Sequence, residues 1–275
     1  MTHRVVIHPG FHKTGTTSLQ ASLQAHAVTL GPQVQVQTRK SHAGLAHAAD
    51  LARAWSISRD SVATTRLAAA LQSWAADLRL APGQVLLVSC EDLSGHIPGH
   101  RGLPDYAAAP SLARALADAL AQRFGPALDL RFLFTTRAAT PWLRSVHWQL
   151  ANHPMMELSA DKFARRFAKA AAFAPLLDAV RAMLPGVPVV EARLEDLAEC
   201  RLGPVTALYE LAGLDSTALM PVAAANQRPP HDLADVFVAM NRTGMAADLL
   251  AEMKRRLIAL SDAAGKTLPS PPPRG

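Results

Sequence analysis

Residues 4–18 read RVVIHPGFHKTGTTS, and this stretch decides the fold. Arg4 to His8 is an apolar, β-branched run that ends at Pro9-Gly10, which predicts a buried strand followed by a turn. Thr16 to Ala27 has leucines four residues apart on one face, which predicts a helix after a glycine-containing loop. The stretch therefore predicts a strand, a loop and a helix in direct succession.

Strands and helices continue to alternate along the rest of the chain. Four further runs predict strands: Val34–Thr38, Val85–Ser89, Leu130–Thr135 and Val187–Ala192. Helical patterns occupy His42–Trp55, Ser61–Leu80, Leu112–Phe124 and most of Asp232–Ala264. This alternation predicts an α/β fold: a single domain, residues 1–267, with a mainly parallel central sheet flanked by helices. The Pro-rich residues 268–275 predict a disordered tail.

Composition limits the protein class but does not identify a ligand. The 275 residues are 49% apolar and 18% charged, which excludes a disordered chain and allows a substantial core. The 28 basic and 22 acidic residues give a net charge of +6, which fits a polyanionic ligand. Nucleic acid, a membrane surface or an anionic polysaccharide would fit the charge equally well, so charge alone assigns no partner.

Cysteine usage and hydropathy set the expected compartment. Only Cys90 and Cys200 are present, with no CxxC or HExxH motif, so neither a disulfide framework nor a zinc site is predicted. The N-terminal residues lack the apolar stretch of a signal peptide, and no run approaches the length of a membrane helix. We therefore expect a soluble, cytoplasmic protein without a membrane span.

The loop after the first strand has features suited to an anion. Gly10 and Gly15 have the GxxxxG spacing of a P-loop, in which backbone N–H groups surround a phosphate at a helix N-terminus. A Walker motif places lysine directly after the second glycine, but Thr16 stands there and the lysine is Lys13. An ordinary ATP or GTP site would therefore lack its phosphate lysine. The alternative interpretation is a turn that only begins a helix.

Residues 8–20, HPGFHKTGTTSLQ, resemble the 5′-phosphosulfate-binding loop of sulfotransferases that use 3′-phosphoadenosine-5′-phosphosulfate (PAPS), bacterial members in particular. The resemblance implies a P-loop-type nucleotide-binding fold, PAPS as the sulfuryl donor, PAP as its product and no catalytic metal. It gives Lys13 a catalytic role, while His12 either touches the sulfuryl group or caps the turn. The implied donor-binding residues are His12, Lys13, Thr14, Gly15, Thr16, Thr17 and Ser18.

The same resemblance implies a 3′-phosphate site in FLFTTRAATPWLRS, residues 132–145. The family places an arginine after a later strand and a serine eight residues on, which here are Arg137 and Ser145. Thr140-Pro141 predicts the N-cap and first turn of the helix that carries the serine. A surface arginine and a helical serine are the ordinary alternative. Further along the chain, Arg228 resembles a residue of the family's late basic loop and is a further candidate for the 3′-phosphate.

A carboxylate follows the strand in VLLVSCEDLSGH, residues 85–96. Several branches of the family use a glutamate at this strand end as general base, so the resemblance implies that role for Glu91. The alternative is an acidic cap. Asp92 is expected to point elsewhere, and His96 is the reserve base because other branches use histidine. The polar segment Cys90–Tyr106 is expected to be a long, flexible loop that helps to select the acceptor.

These features together predict a sulfotransferase. It would move a sulfuryl group from PAPS to a hydroxyl or amine of a carbohydrate, lipid or small molecule, and it would have no nucleic-acid partner. Two alternatives stay open: a P-loop small-molecule kinase, and a nucleotide- or polyanion-binding protein without catalytic activity. The identity of the acceptor and the oligomeric state are not predicted.

Overall fold

The computed structural model describes residues 2–223 and 233–267, in which five parallel strands form one sheet. The strand order is β2-β3-β1-β4-β5, and every neighbouring pair is parallel. The strands are β1 His3–His8, β2 Val34–Thr38, β3 Val85–Ser89, β4 Leu128–Thr136 and β5 Val189–Arg193. Each overlaps a strand predicted from the sequence, so the predicted α/β fold with a parallel sheet is confirmed.

Helices cover both faces of this sheet. They are α1 Thr16–Leu30, α2 Ala43–Ser58, α3 Ser61–Asp77, α4 Ala109–Phe124, α5 Ala139–Ala151, α6 Ala160–Arg166, α7 Phe173–Met183, α8 Leu194–Leu197, α9 Thr206–Ala212, α10 Ala234–Asn241 and α11 Ala247–Thr267. No described helix is both long enough and apolar enough to cross a membrane. Helices on both faces explain why β1 and β3 read as nearly continuous apolar runs, since a parallel strand covered on both sides has no polar face.

The central strand shows how the two halves of the core form. Val5 and Ile7 pack into a large cluster with residues of α2–α5 and α7. Val6 points to the opposite face and packs against residues of α1 and α9. Alternate side chains of a strand point to opposite faces, so β1 contributes to both clusters. Each fully buried valine or isoleucine contributes about 1.5–3 kcal/mol relative to an exposed one.

Two local predictions are wrong. Helix α5 begins at Ala139 with Ala138 as N-cap, so Thr140 is not the cap. The Ala138 N–H donates instead to Glu195 Oε1 at 2.9 Å, which satisfies this helix end from another element. The Cys90–Tyr106 segment is packed rather than loose, with short 3₁₀ turns at Glu91–Ser94 and His100–Gly102. Its Leu93, Ile97 and Tyr106 are buried in the larger core cluster, and this burial holds the segment in place.

Candidate active site

The carboxyl ends of the strands border a cleft of about 710 Å³. This volume lies within the range of roughly 300–1,000 Å³ that is usual for small-molecule sites, and a crevice at this edge is where parallel α/β sheets bind ligands. Nine of the predicted site residues line it: His12, Lys13, Gly15, Thr16, Thr17, Ser18, Glu91, Arg137 and Ser145. Thr14 and His96 are not among the lining residues. Arg228 and the predicted tail, 268–275, lie outside the described residues.

The loop after β1 keeps its shape through three left-handed residues. Gly10 has φ +56° and Gly15 has φ +98°, and Lys13 adopts φ +68° although it carries a side chain. A left-handed non-glycine residue costs on the order of 1–3 kcal/mol, and such strain is concentrated at functional sites. Gly15 is also the N-cap of α1, so the partial positive charge of that helix end faces the cleft.

Two hydrogen bonds tie the loop to the segment that follows β4. The indole N–H of Trp142 donates to the carbonyl of His12 at 2.9 Å, and Arg137 Nη1 lies 3.4 Å from the carbonyl of Lys13. Trp142 is completely buried and so belongs to the core. The residue predicted to bind the 3′-phosphate and the predicted catalytic lysine are thus neighbours, although they are far apart in the sequence.

One buried hydroxyl at the cleft has no partner within the described residues. Thr16 Oγ1 lies in the cleft wall, and the residue is 4% exposed. Burying a hydroxyl without a hydrogen bond costs about 1–3 kcal/mol, so a ligand oxygen at this point would recover that energy. The left-handed loop, the N-terminus of α1 and this hydroxyl together fit an anionic group such as a phosphate.

Thr14 has a different role from its neighbours. Its hydroxyl lies 2.6 Å from the Phe11 carbonyl and 2.8 Å from Thr135 Oγ1, beneath the loop. The His8 ring contacts the same Thr135 hydroxyl, with Nε2 3.0 Å from Thr135 Oγ1, and its Nδ1 lies 3.0 Å from Ser89 Oγ. Burial lowers the pKa of His8 to about 3, so its ring is neutral at physiological pH. These side chains link the ends of β1, β3 and β4 under the cleft.

Glu91 lines the cleft, whereas Asp92 forms ion pairs with Arg39 and Arg53 and lies 3.4 Å from His12 Nε2. Glu91 Oε2 accepts a hydrogen bond from Gln20 Nε2 at 3.1 Å. Burial by itself would raise the pKa of Asp92, but the His12 hydrogen bond and the charges of Arg53 and Arg39 outweigh burial and hold that pKa below its usual value. Asp92 is therefore an anion that neutralises its basic neighbours.

Two histidines near this edge have different surroundings. The His12 ring is braced between the Tyr106 hydroxyl, 3.0 Å from Nδ1, and Asp92 Oδ1, 3.4 Å from Nε2. His96 is buried, stacks on His100 with ring centroids 3.8 Å apart, and accepts a hydrogen bond from Arg53 Nη2 at 3.1 Å. Burial first, and then the charge of Arg53, lower the pKa of His96 to about 4. His12 is held at the cleft, whereas His96 is neutral beside it.

The cleft includes residues that the sequence analysis did not single out. Gln149 follows Ser145 by one helical turn on α5, and this spacing could have identified it. The other lining residues belong to no motif that the sequence analysis recognised. They are Ser22, Leu194, Ala198, Cys200, Arg201, Leu202, Gly203, Pro204 and Val222. No group of three or more His, Cys, Asp or Glu side chains among residues 2–223 and 233–267 is arranged to hold a metal ion.

Comparisons with known proteins show a likeness among solved structures. No model of a protein family matches the chain, and no curated protein matches its sequence. Among solved structures, the chain is similar to the crystal structure of a sulfotransferase from Alicyclobacillus acidocaldarius. The two are 16% identical over 88% of this chain and 93% of that chain, with a TM-score of 0.47.

Proposed function

We propose that the protein is a sulfotransferase that moves a sulfuryl group from PAPS to a hydroxyl or amine and releases PAP. One observation carries this function: Lys13, Glu91, Arg137 and Ser145 come from separate parts of the sequence and line the same cleft. Each was assigned from the sequence through its resemblance to a sulfotransferase motif. An unrelated set of surface residues has no reason to converge on one cleft.

The residues of the cleft fit two separate anionic groups. The loop N–H groups, the helix N-terminus and the unpartnered Thr16 hydroxyl suit the 5′-phosphosulfate. Arg137 offers a planar set of donors and Ser145 a hydroxyl for the 3′-phosphate. Arg228 is retained as a further 3′-phosphate contact on the basis of its sequence alone. A donor with phosphates at both positions would use all of these groups at once.

The residues have complementary roles in transfer. PAPS supplies an activated sulfuryl group, whose bond to the bridging phosphate oxygen breaks as the acceptor atom bonds to sulfur. Glu91 takes the proton from the acceptor as that bond forms. Lys13 stabilises the electron pair that the bridging oxygen keeps, since its ammonium group belongs to the loop that holds the phosphate. Arg137 and Ser145 fix the donor so that its reacting end lies near Glu91.

The acceptor and the compartment are part of the same proposal. The acceptor carries a hydroxyl or amine and belongs to a carbohydrate, a lipid or a small molecule, and nucleic acid is not a partner. We place the reaction in the cytoplasm, which agrees with two cysteines that are both free thiols.

Calorimetric titration with PAP, AMP and ATP tests the proposed function. PAP should bind far more tightly than AMP, because only PAP has a 3′-phosphate for Arg137 and Ser145. Arg137→Ala should weaken PAP binding by about 1.5–3 kcal/mol, the usual worth of a hydrogen bond to a charged group. Arg144→Ala is the matched control, because Arg144 is an exposed arginine of α5 that does not line the cleft.

The same titration, together with a measurement of PAPS consumption, separates the rival functions. Equal affinities for AMP and PAP would remove the case for a 3′-phosphate site. Tight binding of ATP that requires Mg²⁺ would favour a small-molecule kinase. Tight PAP binding without any consumption of PAPS would favour a binding protein that lacks catalytic activity.

A further inference from the structure

The side chain of Gln20 joins the predicted base to the end of β3. Its amide nitrogen lies 3.1 Å from Glu91 Oε2, 3.1 Å from the Ser89 carbonyl and 3.4 Å from Ser89 Oγ. A carboxylate and a carbonyl only accept hydrogen bonds, so the nitrogen end of the amide must face them. One N–H of Gln20 therefore donates to Glu91, and the other donates to Ser89.

Beneath this contact, buried side chains form a series of hydrogen bonds, and the donor and acceptor of each can be assigned, beginning at Thr14. The Thr14 hydroxyl donates to the Phe11 carbonyl, so it can only accept in its bond with Thr135. The Thr135 hydroxyl donates to Thr14, and it must then accept from His8 Nε2. His8 thus carries its proton on Nε2.

The directions of the remaining hydrogen bonds, from His8 to Gln20, follow because the His8 ring is neutral. With the proton on Nε2, Nδ1 is an acceptor and the Ser89 hydroxyl donates to it. The Ser89 oxygen keeps a lone pair for the N–H of Gln20. All of these hydrogen bonds therefore run in the same direction. Each group donates to the next, from Gln20 through Ser89 and His8 to the Phe11 carbonyl beneath the loop. The orientation of Gln20 is therefore set by the ends of three strands and not by its own helix alone.

We propose that Gln20 is a positioning residue that holds Oε2 of Glu91 and leaves Oε1 to take the acceptor proton. Oε1 has no hydrogen bond among the described residues, whereas Oε2 is held by Gln20. This role rests on the proposed sulfotransferase activity. Gln20 itself does not line the cleft, so it acts through Glu91 and not on the ligand. Because α1 also supplies the phosphate-binding N-terminus, one helix fixes both the donor and the base.

Several charged or titratable groups surround the Glu91 carboxylate, so a proton-based readout alone would be ambiguous. His12, Lys13 and Arg137 line the same cleft from the loop and from the end of β4. The carboxylate also acts electrostatically on Cys90 and Tyr106, which flank the segment that carries it, and Asp92 is its neighbour in the chain. The decisive experiments therefore measure the Gln20 hydrogen bond directly and then test whether its effect depends on Glu91.

Nuclear magnetic resonance of the side-chain amides tests the contact without any ligand. The Gln20 signal is identified by its loss in Gln20→Met. It should shift clearly in Glu91→Ala, because one of its two N–H groups loses an acceptor. The Gln24 signal is the control, since Gln24 lies exposed one turn further along the same helix. An unchanged Gln20 signal in Glu91→Ala would overturn the proposal, and this result does not depend on the proposed activity.

Hydrolysis of PAPS to PAP and sulfate, with water as the acceptor, tests the catalytic consequence. Gln20→Met should slow hydrolysis by about ten- to a hundredfold, the loss of one hydrogen bond to a charged group, while Gln24→Met keeps the wild-type rate. PAP affinity and Tm should stay near wild type in both variants. In a Glu91→Gln background, Gln20→Met should have no further effect on the rate.

The outcomes separate the positioning role from the proposed function. A wild-type rate in Gln20→Met, or an equal loss with and without Glu91, would overturn the positioning role and leave the sulfotransferase proposal standing. A wild-type protein that fails to bind PAP would overturn the proposed function, while the amide signal would still report whether Gln20 holds Glu91. If Gln20→Met lowers Tm strongly, Gln20→Leu with the same comparison in the Glu91→Gln background replaces it.

Discussion

Replacing Gly15 with alanine should damage both the stability of the protein and its binding of PAP. Gly15 has φ +98°, and a left-handed residue with a side chain costs roughly 1–2 kcal/mol. A Cβ at this position would lie 2.7 Å from Leu194 Cδ1 and 3.4 Å from a Pro204 ring carbon. Because Leu194 Cδ1 is the end of a flexible side chain, it can move, and forced repacking of this kind costs about 1–3 kcal/mol. The total loss should be about 2–5 kcal/mol in the free energy of unfolding.

Gly83→Ala is the matched control for the backbone contribution. Gly83 has φ +78°, but no atom lies within 4 Å of a Cβ built there. It should lose only the backbone part, about 1–2 kcal/mol, and its PAP affinity should be unchanged. Gly15→Ala should in addition weaken PAP binding at least tenfold, because relief of the clash displaces the loop that faces the cleft. Urea unfolding gives the stabilities, and calorimetry with PAP gives the affinities.

A double-mutant cycle isolates the steric part of the effect. Leu194→Ala removes the atom that the new Cβ would meet, so the pair Gly15→Ala and Leu194→Ala should be more stable than the sum of the single changes predicts. The coupling should be about 1–2 kcal/mol, within the range for residues in contact. Equal losses in Gly15→Ala and Gly83→Ala, together with full PAP affinity in both, would refute the close packing of the loop against α8.

Three further outcomes can be tested on the same protein. Glu91→Gln should keep the Tm and PAP affinity near wild type, while turnover of PAPS falls by about 10²–10⁴, the usual contribution of a general base. Full activity of Glu91→Gln, together with an inactive His96→Ala variant, would assign the base to His96. Turnover should persist in EDTA, and activity that EDTA abolishes and Mg²⁺ restores would contradict the proposed reaction. His8 has its pKa lowered from 6.5 to about 3 in the folded chain, so the unfolded chain binds more protons between these values and the free energy of unfolding should fall as pH falls through that window. Urea unfolding at pH 7 and pH 5 should show a steeper loss for the wild type than for His8→Gln, and parallel losses would show that His8 contributes nothing to the pH dependence.

The sheet and the cleft could be predicted from the sequence because each depends on motifs made of residues close together in the chain. The apolar run of β1 and the glycines after it form one short motif, and Arg137 and Ser145 form another. Parallel sheets bring the ends of such strands together, so separate motifs could be placed on one edge before any contact was known. That reasoning identified nine residues that line the cleft.

Features that depend on contacts between distant residues were not predictable. Gln20 is an ordinary polar residue of a helix until β3 places Glu91 beside it. The glycines and prolines of Cys90–Tyr106 suggested a loose segment, but the side chains of Leu93 and Ile97 decide its packing. Helices α6 and α7 were not predicted, although α7 buries Phe173, Leu177 and Val180 on one face and Pro185-Gly186 follows it as a stop signal.

The strand order has a consequence for synthesis on the ribosome. β1 is made before the other strands but pairs only with β3 and β4, so its apolar residues have no partner strand until β3, which ends at Ser89, has been synthesised. At about 5–20 residues per second, this delay lasts on the order of ten seconds. During that time Val5, Val6 and Ile7 offer an unpaired, strongly apolar strand of the kind that holding chaperones bind. Any ligand of the cleft can stabilise this nascent chain only late, because the residues that line the cleft extend to Val222.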